Sequence, residues 1–151
     1  MKETPTHFDG ITDATARKLE QLAQFVETIP RKQFNMGYWA AKKSPLIGGD
    51  GLDKDTLICE IKPECGTVCC IAGWQVISKG MCIFDQTVYK NPKQFAAGNS
   101  LGAPDAIAAK MLGLGEYEAS KLYIPWKWPL RFRQTPNGAA KRIRHFIKTG
   151  E

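Results

Sequence analysis

Histidine is scarce in this 151-residue chain, and long apolar runs are missing altogether. The two histidines, His7 and His145, lie far from the cysteines and belong to no recognised catalytic signature. A cysteine nucleophile would therefore lack an evident base. No apolar stretch is long enough to cross a bilayer, and the opening MKETPTHFDG has no segment of the secretory kind. The expectation is a cytoplasmic protein with no membrane partner. The phosphate-loop motif G-x-x-x-x-G-K-[ST] and the dinucleotide motif G-x-G-x-x-G are both absent. Asp50, Asp53 and Asp55 cluster in DGLDKD but lack the order and the distant Glu of a calcium loop, so the run reads as a solvated turn. Catalysis has no positive support in the residues. The expectation is a non-enzymatic protein without a cofactor.

Cysteine is present in odd number: Cys59, Cys65, Cys69, Cys70 and Cys82. With no export signal, reduced thiols are expected rather than a disulfide framework. Structural zinc uses a short knuckle plus a second, well-separated ligand pair. Here Cys69 and Cys70 are adjacent and their flanks are apolar, so no metal is expected.

The length suits a single globular domain, 1–151, with a real core. Residues 11–29 read as a helix with an apolar stripe at Leu19, Leu22, Val26 and Ile29, capped by Thr12 or Asp13 and stopped by Pro30. SPLIGGDGLDKD reads as an exposed loop. TLICEIK alternates like a short strand, with MCIFDQTVYK as its partner. Between them, residues 67–78 are apolar on nearly every side. The spacing predicts a helix in the middle of a bundle, opened at Gly66-Thr67 and stopped at Gly80. Helices are expected at 103–112, ended by Gly113, at 116–123, ended by Pro125, and from Thr135-Pro136 onward. The last has the stripe Ala139, Ile143, Phe146 and Ile147. The fold class is mainly α: a compact bundle of about five helices with a small β-hairpin.

Charge is distributed unevenly along the chain. Residues 125–151 hold seven Lys/Arg and one Glu, equal to the formal net charge of +6 for the whole protein. This segment is also aromatic, and cations interleaved with flat rings suit a partner with negative charge and planar groups. In an extended run, Trp126 and Trp128 project to the same side around Lys127. They are candidates to stack on a base, with Lys127, Arg131 and Arg133 pairing with phosphate. Arg142 and His145 extend the positive face along the last helix, and Gly66 with Thr67 offers free amides at a helix start. The competing reading has the tryptophans anchoring the loop onto the core, the cations facing water, and Gly66-Thr67 merely capping a core helix.

CGTVCCIAGW, followed by L-G-L at 112–114 and Leu122-Tyr123, resembles a group of small uncharacterised proteins of bacteria and their phages. The shared pattern is C-G-T-x-x-C-[IL]-A-G-[WH], then L-G-L and L-[FY]. Cys65, Gly66, Thr67, Cys70, Ile71, Ala72, Gly73 and Trp74 match it. The resemblance runs from Cys65 to Tyr123, implies a mainly helical fold and a phage or prophage origin, and supplies no catalytic residue. The function expected from both lines is non-catalytic binding of an anionic, nucleotide-like ligand, as in a phage protein that sequesters a cyclic nucleotide immune signal. The rivals are a DNA- or RNA-binding protein using the last helix and an inhibitor that covers an acidic protein surface. Self-association is left open.

Overall fold

The computed structural model describes residues 4–34, 40–43, 52–53, 57–59, 67–124, 128 and 135–151. These residues form a mainly α fold with a small β component. The chain order is α1 (Asp13–Glu27), a 3-10 turn (Arg31–Gln33), β1 (Ala40–Lys43), β2 (Leu52–Asp53), β3 (Thr67–Cys69), α2 (Ile71–Ser78), β4 (Cys82–Phe84), β5 (Thr87–Tyr89), α3 (Pro92–Ala96), β6 (Ser100–Gly102), α4 (Pro104–Leu112), α5 (Glu116–Tyr123) and α6 (Pro136–Thr149).

Helix α1 begins where Thr12 Oγ1 accepts the amide of Thr15 at 3.1 Å, and it ends ahead of Pro30. Its stripe of Ala16, Leu19, Leu22, Ala23 and Val26 is buried. Helix α6 begins in the same way. Thr135 Oγ1 accepts from the Gly138 amide at 3.0 Å, and Pro136 occupies the first turn, where its missing N–H costs nothing. Ala139, Ile143, Phe146 and Ile147 of α6 are buried, and the two helices pack against each other. The seam is closed at its polar edge by Arg144, whose Nε donates to Glu20 Oε2 at 3.1 Å and whose Nη1 donates to Glu27. At the other edge Phe8 lies edge-on to Phe146, centroids 5.5 Å apart, and its amide donates to the Ile147 carbonyl at 3.0 Å.

Three expectations are corrected in the middle of the chain. The segment 67–78 is not one helix. Thr67–Cys69 is a strand that pairs antiparallel with β1, in a sheet of order β2-β1-β3, and α2 starts only at Ile71. A uniformly apolar run has no periodicity to mark this boundary, and β-branched Thr67 and Val68 favour the extended side. The cap is Cys70, whose Sγ accepts from the Gly73 amide at 3.5 Å. The same sheet takes Asp53, expected in a turn, into β2 opposite Lys42, as part of this first correction.

The second correction concerns MCIFDQTVYK, which pairs mainly with itself. Strands β4 and β5 form a hairpin around Asp85 and Gln86, at φ 46° and 61°, and β6 adds a third strand. Both turn residues are left-handed, as a two-residue primed turn requires. The expected partner survives as one antiparallel bridge, Ile58 to Ile83, with two 2.8 Å hydrogen bonds. That bridge explains the third correction. It sets Cys59 beside Cys82, and the two are joined in a disulfide, not kept as free thiols. Cys69 and Cys70 are buried in the core.

Gly113, at φ +75°, and Gly80, at φ +85°, take the left-handed conformation just past α4 and α2, as their positions in the sequence predict. One contiguous cluster of buried apolar side chains runs from Ala16 to Ile147 and joins all the longer helices.

Candidate functional site

The carboxyl end of α5 gathers two polar side chains of the basic segment, Trp128 and Arg142. The last carbonyls of any helix lack intrahelical donors. At Lys121 the carbonyl is taken by two side chains. Trp128 Nε1 donates to it at 2.9 Å, and Arg142 Nη2 donates to it at 3.2 Å. Trp128 is 2% exposed, so its indole fills the core while its one polar atom caps α5. A cation at a helix carboxyl end also meets the negative pole of the helix dipole. The Lys121 ammonium turns the other way. It donates to the Gly150 carbonyl at 2.6 Å and lies 4.3 Å from the centre of the Tyr117 ring.

Arg142 is the unusual member. It is 3% exposed, and its Nε and Nη1 are buried with no hydrogen-bond partner among the described residues. Burial pulls its pKa below the ordinary arginine value, opposed by the charge of Glu151. A buried guanidinium with unsatisfied donors is costly, because full desolvation is met by only part of the hydrogen bonding it needs.

The other sequence candidates fare differently. His145, with Lys141 and Lys148, is exposed on the outer side of α6, so Arg142 and His145 do not share one positive face as their spacing suggested. Arg144 is committed to Glu20 and Glu27 of α1. Thr67 lies in β3 and not at a helix start, because the sheet with β1 claims it, so its amide does not belong to a helix-terminal anion site. Gly66, Trp126, Lys127, Arg131 and Arg133 lie outside the described residues. Sequence reading missed Lys121. The available signal was its place in the last turn of a predicted helix, where carbonyls need donors.

The thiol chemistry is that of a packed core. Burial pushes the Cys70 thiol up to about 12, against the weaker opposing pull of the Gly73 amide, so it remains protonated at neutral pH. The Tyr123 hydroxyl is also pushed up by burial and donates to Gln75 Oε1 at 2.6 Å. Among the described residues no three His, Cys, Asp or Glu side chains come together as metal donors. No helix of the described residues is long and apolar enough to cross a membrane. The chain matches no protein-family model, no curated protein and no solved structure at a significant level.

Proposed function

We propose that this is a non-catalytic binding protein for a small anionic, nucleotide-like ligand, received at Arg142, with Trp126, Lys127, Arg131 and Arg133 as the further candidates that the sequence supplies. One observation carries the reading: among the described residues, two buried nitrogens of Arg142, Nε and Nη1, have no hydrogen-bond partner. A planar guanidinium matches the two oxygens of a phosphate or carboxylate, and such an anion would supply both the missing charge and the missing acceptors. Capture without turnover is the role of phage proteins that sequester cyclic nucleotide signals, and the resemblance of residues 65–123 to a bacterial and phage group agrees with it. A cytoplasmic location suits that role, although there the Cys59–Cys82 bridge would stand against a reducing thiol pool.

The rival reading, nucleic-acid binding, has one observation in its favour. Lys141, His145 and Lys148 form an exposed stripe on α6. Salt separates the two, since phosphate-backbone binding weakens steeply as counterions are released, whereas an enclosed ligand responds less.

Arg142→Met is the decisive variant. It removes the charge but keeps the length of the side chain. The variant should be more stable than the wild type when empty, by roughly 1–3 kcal/mol in urea unfolding, because a poorly satisfied buried charge is gone. It should also lose the thermal shift that cyclic mono- and dinucleotides give the wild type. The proposal fails if none of these nucleotides shifts the wild-type melting temperature, or if Arg142→Met shifts as much as wild type.

A further inference from the structure

A second site lies away from Arg142, in a cleft between α1, α2 and α4. Its volume is about 440 Å³, within the range of small-molecule sites. Leu22, Phe25, Met111 and Leu112 supply apolar walls, with Phe25 held edge-on to Trp74 at 6.0 Å. Polar recognition from the interior is already spent. Gln75, 6% exposed, donates through Nε2 to the Ala108 carbonyl at 3.4 Å and accepts from Tyr123 through Oε1. Ser78 donates to the Gln75 carbonyl at 2.8 Å.

The charges at this cleft have one sign. Lys18 comes from α1 and Lys79 from the C-cap of α2, and both are exposed. Among the described residues neither lysine has an ion-pair partner, and no Asp or Glu lines the cleft. An occupant that matches this pattern has an apolar body for the walls and one anionic head for the ammonium groups. A neutral apolar molecule would leave the lysines unused, and a highly charged nucleotide would meet a wall of leucine and methionine.

We infer that this cleft binds a small amphipathic monoanion, an aliphatic or aromatic carboxylate, with its body on Leu22, Phe25 and Met111 and its head between Lys18 and Lys79. The site shares no residue with the Arg142 site, so either can fail alone.

The test uses the full chain and the fluorescent probe anilinonaphthalene sulfonate, displaced by decanoate below its micellar concentration or by its neutral counterpart decanol. Decanoate should displace the probe at a concentration at least about tenfold lower than decanol, a difference of about 1.4 kcal/mol. Lys18→Gln with Lys79→Gln should erase that preference, and Met111→Trp should fill the cleft and abolish probe binding. Should Met111→Trp not fold by circular dichroism, Ser78→Trp at the exposed rim replaces it. Probe and decanoate binding should persist in Arg142→Met. The inference is overturned if the folded protein does not bind the probe, if decanoate and decanol displace it equally, or if a folded cleft-filling variant still binds it. It is also overturned if Arg142→Met removes decanoate binding, which would place the anion at the other site.

Discussion

Helices α1 and α6 meet along two apolar stripes, whereas α2 is apolar all round and is oriented by the few polar groups it carries. In the first pair, rotation of either helix would bring charged residues into the seam, so the stripe alone selects one orientation. Arg144 adds a bridge to Glu20 and Glu27 at the rim, where such pairs contribute little to stability but fix register. In α2, Ile71, Ala72, Gly73, Trp74, Gln75, Val76 and Ile77 are all buried, so burial does not distinguish one rotation from another. The distinction comes from Trp74 Nε1, which donates to the Gln33 carbonyl at 3.1 Å, and from Gln75, which bridges Ala108 of α4 and Tyr123 of α5. Buried polar groups must find partners, and here those partners define how the helix sits.

The largest expected effect lies in the stripe. Phe146 is fully buried in the α1–α6 seam and touches Phe8. Phe146→Ala should cost roughly 3–5 kcal/mol in urea unfolding, the transfer term plus the cavity left behind. A cost under about 1 kcal/mol would mean that the stripe is not what joins these helices. Next comes the polar anchor of α2. Gln75→Leu nearly conserves volume but leaves the buried Tyr123 hydroxyl without its acceptor and takes a side-chain donor from the Ala108 carbonyl. The expected loss is about 2–3 kcal/mol despite the gain in hydrophobicity. A neutral or stabilising result would show that packing alone orients α2 and would erase the contrast between the regions.

The same contrast explains what was legible in the sequence. Thr12, Pro30, Thr135 and Pro136 announce the ends of α1 and α6, and each stripe is the buried face. Gly113 ends α4 through a left-handed residue that only glycine adopts freely. The start of α2 was illegible because residues 67–78 carry no period, and its cap is a thiol, not a hydroxyl or carboxylate. The hairpin at Asp85-Gln86 lacks the glycine that normally marks such a turn. The Cys59–Cys82 bridge depends on the register of Ile58 against Ile83, which no local pattern encodes.

For the candidate site, the location of the charge was legible and its burial was not. Arg142 follows Ala139 by three residues and precedes Phe146 by four, so it sits on the edge of the apolar stripe. That spacing allows it to turn inward as readily as outward. Nothing in the spacing revealed that α5 would offer it a single carbonyl.

The smallest expected effect belongs to the amino-terminal strap that closes the α1–α6 half. His7 has both ring nitrogens directed at acceptors, Nδ1 at the Phe8 carbonyl and Nε2 at Asp13 Oδ1, each at 2.7 Å. Only the imidazolium can donate from both. The Asp13 hydrogen bond, followed by the Phe8 carbonyl, therefore raises its pKa above the ordinary 6.5. A pKa raised on folding contributes stability that is complete below the unfolded value and is lost as pH rises through the folded one. The melting temperature should thus fall modestly as pH rises from the ordinary histidine value of 6.5 through the raised one, and His7→Gln should flatten that slope. Hydrogen exchange localises the effect: amides around Phe8 and the start of α1 should exchange faster as His7 loses its proton, while those of α2 should not change. An equal response in both regions would mean that His7 stabilises the whole core through a global equilibrium, and the two halves would then open as one unit.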